Sequence, residues 1–154
     1  MQPRLIMPQL TPDIFAAMRE LNDRIESAGL DPLLSELIKI RASQINHCAY
    51  CIDMHTKDAR AIGETEQRIY ALSAWRETPF FTERERAALA LTEAVTVLTD
   101  GFVPDDVYER AAAQFDEKEL AVVIWAVIAI NALNRMAVTS RSVPGSYRST
   151  RTPR

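Results

Sequence analysis

Residues 45–55 read Ile-Asn-His-Cys-Ala-Tyr-Cys-Ile-Asp-Met-His and hold both cysteines and both histidines of the chain. On a helix, Cys48, Cys51 and His55 fall at i, i+3 and i+7, within roughly 60° of one another on one face. A dithiol beside an imidazole is equipped for thiol redox chemistry. The thiolate is the nucleophile, and a neighbouring His or a helix N-terminus favours it. The same residues admit three other uses. Two cysteines can be small buried hydrophobes. Cys48, Cys51 and His55, with His47 as a fourth ligand, could hold zinc, although structural zinc sites draw on two separated knuckles. A purely structural disulfide is the third, but so short a loop constrains the unfolded chain little.

The elements that must carry this motif read as helices. Thr11-Pro12 starts the first, with Ile14, Phe15, Met18, Leu21 and Ile25 on one face and Gly29 closing it. Asp31-Pro32 starts the second, with Leu33, Leu34, Leu37, Ile38 and Ile40 on a broad apolar side. Glu36 and Arg41 sit in it, and helix position alone puts Glu36 in solvent. The motif helix runs from Asn46, its expected N-cap, to Ile62, with Gly63 after it. That places both cysteines near free backbone N–H groups. Asp53, Lys57, Asp58 and Arg60 read as its solvated face. Thr65 caps a short helix to about Trp75, and Phe80 and Phe81 then cover a core edge. Capping boxes at Thr82–Glu85 and Asp116–Glu119 open two long helices, with a short one from Pro104 between them.

The apolar run Leu120–Ile130 is too short to span a bilayer and is followed at once by Asn131, Asn134 and Arg135. It reads as a buried central helix whose asparagines need partners. Residues 139–154 form a polar tail with four Arg, expected to be disordered or to lie on a partner subunit. No strand-like alternation is present. The expectation is an all-α domain of about seven helices over residues 1–138, followed by the tail.

The chain is long enough for one domain with a true core, at 154 residues. A net charge of −3 argues against non-specific nucleic-acid binding. The start, Met1-Gln2-Pro3-Arg4, has no apolar segment of signal-peptide type. No membrane partner is expected, and a reducing cytoplasm is. There a Cys-x-x-Cys is more often catalytic or metal-binding than structural.

Leu34-Ser35-Glu36-Leu37-Ile38 together with residues 45–59 resembles the core of the AhpD-like alkylhydroperoxidases of the carboxymuconolactone decarboxylase superfamily. The signature is a Glu twelve residues before the first Cys, the Cys-x-x-Cys, and a His four after the second Cys. Asn131-Ala132-Leu133-Asn134-Arg135 is similar to the family's last core helix. The resemblance implies a helical homo-oligomer, trimer or hexamer, that reduces hydrogen peroxide or organic hydroperoxides without metal or cofactor. It implies that Cys51 becomes the sulfenic acid and Cys48 resolves it. Glu36 and His55 then move the proton, and Glu36 becomes a functional candidate. An external dithiol, a lipoyl group or a thioredoxin-like protein, would reset the pair. Dipole reasoning alone favours Cys48 as the thiolate; the resemblance selects Cys51. The founding enzymes carry a second His directly before the second Cys, where this chain has Tyr50, so the relay is shorter. The alternative function is a thiol–disulfide oxidoreductase or disulfide carrier of the same fold that ignores peroxide.

Overall fold

The structure, a computed structural model, describes residues 1–152. It is all-α: α1 (Met7–Leu10), α2 (Pro12–Ser27), α3 (Pro32–Ile45), α4 (Ala49–Ala61), α5 (Glu66–Ala71), a 3-10 segment (Leu72–Glu77), α6 (Glu83–Thr96), α7 (Asp105–Ala112) and α8 (Glu117–Ser140). The seven helices expected from the sequence all form. The addition is α1, a single turn inside the lead that reads as irregular.

Most of the start signals act as their chemistry requires. Asp31 accepts from the Leu34 N–H and Thr65 from the Arg68 N–H, and both capping boxes close reciprocally. Thr11 stands at the N-cap of α2, but its hydroxyl donates to the Met7 carbonyl, because α1 ends directly before it. Asn46 is not the N-cap of the motif helix. It is the C-cap of α3, and Cys48 caps α4, its sulfur accepting from the Cys51 N–H at 3.4 Å. The turn between them is made by His47, exposed and left-handed at φ 54°.

α3 organises the interior. Leu34 and Ile38 enter a cluster with Ile25, Leu91, Val123 and Val127. Leu37 and Ile40 enter a second with Leu72, Trp75, Phe81 and Leu89, against which Phe80 packs as the core edge requires. Ala42 meets Cys48, Cys51, Ile130 and Ala137 in a third. Three apolar faces leave one polar stripe, Glu36, Lys39 and Ser43, and it is buried as well. Across from it α4 presents Cys51, His55 and Asp58, also buried. Each set follows the three- and four-residue steps that align side chains on one helix face.

α8 is long and apolar enough to cross a membrane by length and composition, yet it packs against α2, α3, α4, α6 and α7. Its asparagines find their partners. The Asn46 amide donates to Asn131 Oδ1 at 2.9 Å and to Asn134 Oδ1 at 3.0 Å. Asn134 in turn donates to Ser43 Oγ at 3.0 Å. These bonds pin the α3–α4 turn, and with it Cys48, to the central helix.

The C-terminal boundary differs from the sequence expectation. α8 continues through Ser140, past the expected boundary at 138, and the described part of the segment after it lies against its own domain. It folds back along α4 of its own chain: the Gly145 N–H donates to Asp53, Lys57 to the Tyr147 carbonyl, and the Tyr147 hydroxyl to Asp58. Asp58 therefore does not belong to a solvated face; it is buried under the tail. Pro153 and Arg154, the end of that expected tail, lie outside the described residues.

Replacing Asn134 by Ala removes a hydrogen-bond partner from buried Ser43 and one of two acceptors from half-buried Asn46. Urea unfolding should show a loss of about 1–3 kcal/mol. An unchanged midpoint would show that the amide cluster does not hold the turn.

Candidate active site

Cys48 and Cys51 are joined as a disulfide, with their Cα atoms 5.4 Å apart, and both are buried. The first turn of α4 supplies the geometry: the N-cap and N3 positions bring two side chains together over one backbone turn. On reduction both sulfurs would lie at the N-terminal end of α4, where the dipole favours a thiolate, and Cys48 Sγ, at the N-cap, also accepts the Cys51 N–H.

One helical turn further along, His55 meets Glu36. His55 Nδ1 lies 2.8 Å from Glu36 Oε2, and the other carboxylate oxygen accepts from Lys39 Nζ at 3.0 Å. The Glu36 side chain is fully buried, at 0% exposure. Burial pushes its carboxyl up, but the hydrogen bond and charge of His55 and the charge of Lys39 outweigh it and hold the pKa at about 2. A carboxylate accepts, so Nδ1 carries the proton and donates to it. In the neutral form of the ring the lone pair is then on Nε2. That atom is buried and has no hydrogen-bond partner among the described residues.

His55 and Cys51 line one cavity of about 560 Å³. Its walls are apolar where α2, α4 and α8 meet, through Phe15, Met54, Ile130, Leu133 and Met136. Tyr147 and Arg151 of the C-terminal segment also line it. Arg151 reaches Glu26, lies 3.3 Å from Glu36 Oε1 and lies 3.7 Å from Asp58 Oδ2. Lys39 bridges Glu26 and Glu36, at 2.9 and 3.0 Å. The Tyr147 hydroxyl donates to both Asp58 oxygens, at 2.8 and 3.0 Å, and burial and the Asp58 contact raise its pKa.

The four site residues named from the sequence and the resemblance are thus together: the cysteine pair beside His55, and Glu36 behind the imidazole. His47 is exposed on the turn before Cys48 and is not part of the Glu36–His55–Asp58 cluster. Glu36, His55 and Asp58 place ligand-type atoms within 4.8 Å of one another. Their oxygens already face Lys39, Arg151 and Tyr147, so the cluster carries its own cations. Sequence reading missed Lys39, Asp58, Tyr147 and Arg151. The signal for Lys39 and Asp58 was the continuation of two stripes, 36–39–43 and 51–55–58, at helical steps. No local signal marks Tyr147 or Arg151, which act only through the folded-back segment.

A buried Glu–His pair set behind a vicinal dithiol on a small helical frame defines a class of thiol-dependent redox folds. The chain belongs to the carboxymuconolactone decarboxylase family, whose model matches residues 12–94, and it is one of the AhpD-like members. It is 40% identical over 138 residues to the uncharacterised protein YdfG of Bacillus subtilis, covering 90% of this chain and 94% of that one. It superimposes with a TM-score of 0.92 on ATU0492 of Agrobacterium tumefaciens, a protein of unknown function proposed as the antioxidant defence protein AhpD. That match has 40% identity and covers 95% of this chain and 100% of that one. A variant of the debrominase Bmp8, crystallised in complex with 2,3,4-tribromopyrrole, shares the fold at a TM-score of 0.81. Identity there is 19%, over 90% of this chain and 74% of that chain.

The depressed Glu36 pKa has a consequence for stability. The native value, about 2, lies below the ordinary 4.5. The ionised contacts therefore stabilise the fold fully above pH 4.5, and that stabilisation is lost as pH falls towards 2. Between those limits the oxidised wild-type protein should lose about 3 kcal/mol more than Glu36→Gln. Parallel pH–stability curves for the two proteins would contradict the assignment.

Proposed function

We propose that the protein is a cysteine-based peroxidase that reduces hydroperoxides through Cys51 and Cys48, with His55 and Glu36 as the proton relay. The observation that carries this reading is the unpartnered, buried Nε2 of His55, backed by an ionised Glu36, on a side chain that lines the same cavity as Cys51. Such a nitrogen accepts a thiol proton without competition from water and returns it during turnover.

The chemistry balances in three steps. The Cys51 thiolate attacks the distal oxygen of ROOH, the O–O bond breaks, and the departing alkoxide takes a proton to leave as ROH. Cys51 is then a sulfenic acid. The Cys48 thiol attacks that sulfur, and water leaves as the disulfide forms. An external dithiol, of lipoyl or thioredoxin-like type, reduces the disulfide by exchange and is itself oxidised to a disulfide. A cycle that starts from free thiols fits the reducing cytoplasm. A homo-oligomer, trimer or hexamer, belongs to the same reading.

Tyr50 favours one second reading. It stands half-buried on the cavity wall, where it supplies no second imidazole to the relay. A disulfide carrier on this fold would exchange electrons with dithiols and leave peroxide untouched.

Steady-state turnover of cumene hydroperoxide with excess dithiol separates the two. Wild type should turn over, Cys51→Ser should not, and His55→Ala should fall by about 10²- to 10⁴-fold. Cys48→Ser should accumulate sulfenic acid on Cys51, read as a mass increase of about 16 Da or as its dimedone adduct. Full activity in Cys51→Ser would overturn the proposal; exchange with dithiols but no peroxide consumption in the wild type would establish the carrier.

A further inference from the structure

The C-terminal segment takes no part in the relay just described, yet it makes a dense set of polar contacts around it. From Gly145 to Arg151 it is tied to α4 by Asp53, Lys57 and Asp58, and to α2 and α3 by Glu26 and Glu36. Without it three carboxylates there have one lysine or arginine partner; with it they have two. Glu36 and Asp58 place two carboxylates close to His55, and Glu26 adds a third on the lining of the same cavity; Lys39, paired with Glu26 and Glu36, is the one lysine or arginine that the helices pair with any of them among the described residues. Arg151 is the second such cation, and it faces all three carboxylates at once.

We infer that Arg151 is a positioning residue of the thiol site, and that the site is electrostatically complete only when the C-terminal segment lies across it. The inference rests on the peroxidase reading for its purpose, but its test does not need peroxide. Arg151 acts through two routes. Its contact with Glu36 Oε1 leaves Oε2 directed at His55 Nδ1, which keeps the lone pair on Nε2. Its charge sits on the lining of the cavity in which the Cys51 thiolate must form, and a nearby cation favours an anion. Tyr147 has the supporting task. By donating to both oxygens of Asp58 it fixes the carboxylate that Arg151 meets, and it anchors the segment four residues before Arg151.

The groups that bear on the thiolate come from every packed element. α2 contributes Arg19, Asp23 and Glu26; α3 contributes Glu36 and Lys39. α4 and its cap contribute Cys48, Tyr50, His55 and Asp58, and the C-terminal segment contributes Tyr147 and Arg151. On the cavity wall α8 presents apolar side chains, Ile130, Leu133, Met136 and Ala137. Loss of Arg151 therefore leaves Lys39 as the one lysine or arginine paired with Glu26 and Glu36, and leaves Asp58 with none among the described residues, and the thiolate becomes harder to form.

The test is the pH dependence of iodoacetamide alkylation of Cys51 in the fully reduced, full-length protein, followed by peptide mass. Arg151→Gln should move the profile to higher pH by about half a unit or more. Arg151→Lys keeps the charge and should restore most of the wild-type profile. Tyr147→Phe, which removes the anchor and leaves the charge, should shift it less than Arg151→Gln. An Arg151→Gln profile that coincides with wild type would overturn the inference. So would equal shifts in Arg151→Gln and Arg151→Lys, since only shape and not charge would then matter. A protein inert to peroxide that still shows the charge-dependent shift would remove the peroxidase reading and leave the role of Arg151 in place.

Discussion

The Glu36 carboxylate is the constraint on which the rest of the site depends. A fully buried carboxylate stays ionised only if cations and donors surround it, since desolvation alone would neutralise it. Here the surroundings come from three places in the chain: His55 on α4, Lys39 one turn away on α3, and Arg151 on the C-terminal segment. Each is held in turn. His55 is fixed by α4, whose first turn is capped by Cys48. Lys39 is shared with Glu26 of α2, and Arg151 is placed by Tyr147 and Asp58. Ionised Glu36 then dictates the tautomer of His55 and leaves Nε2 as the free base. The helical frame brings these sequence-distant groups to one wall of one cavity.

Much of this frame was legible in the chain. Capping residues and proline positions marked the helix starts, because their chemistry is local: a side-chain oxygen meets an N–H two or three residues away. The i, i+3, i+7 spacing of Cys48, Cys51 and His55 marked the reactive face for the same reason. What failed was the burial of charged groups and the partners made across helices. Asp58 and Lys39 look like solvent-exposed charges on their own helices, and only the facing stripe makes them interior. Asn46 looks like an N-cap, and its actual amide partners are on α8, at positions 131 and 134. The folding-back of the C-terminal segment follows from contacts with Asp53, Lys57 and Asp58 that no local pattern announces. Glu36 was recovered only through the resemblance, since position alone assigned it to solvent.

The AhpD-like frame is shared with a debrominase at 19% identity, so the helices by themselves do not specify the substrate. The cysteine pair, the imidazole and the ionised carboxylate define a thiol that can be activated and regenerated. The apolar wall formed by Phe15, Met54, Ile130, Leu133 and Met136 offers room for an organic body beside that thiol. The proposed peroxide reduction would use each of these features: the external dithiol supplies two electrons and two protons, which leave in ROH and water.

The most direct test is a titration of free thiols in the reduced protein before and after one equivalent of cumene hydroperoxide. Both thiols should disappear together, one disulfide per equivalent, and a dithiol should restore them. Two thiols persisting after the peroxide has been added would contradict the peroxidase reading.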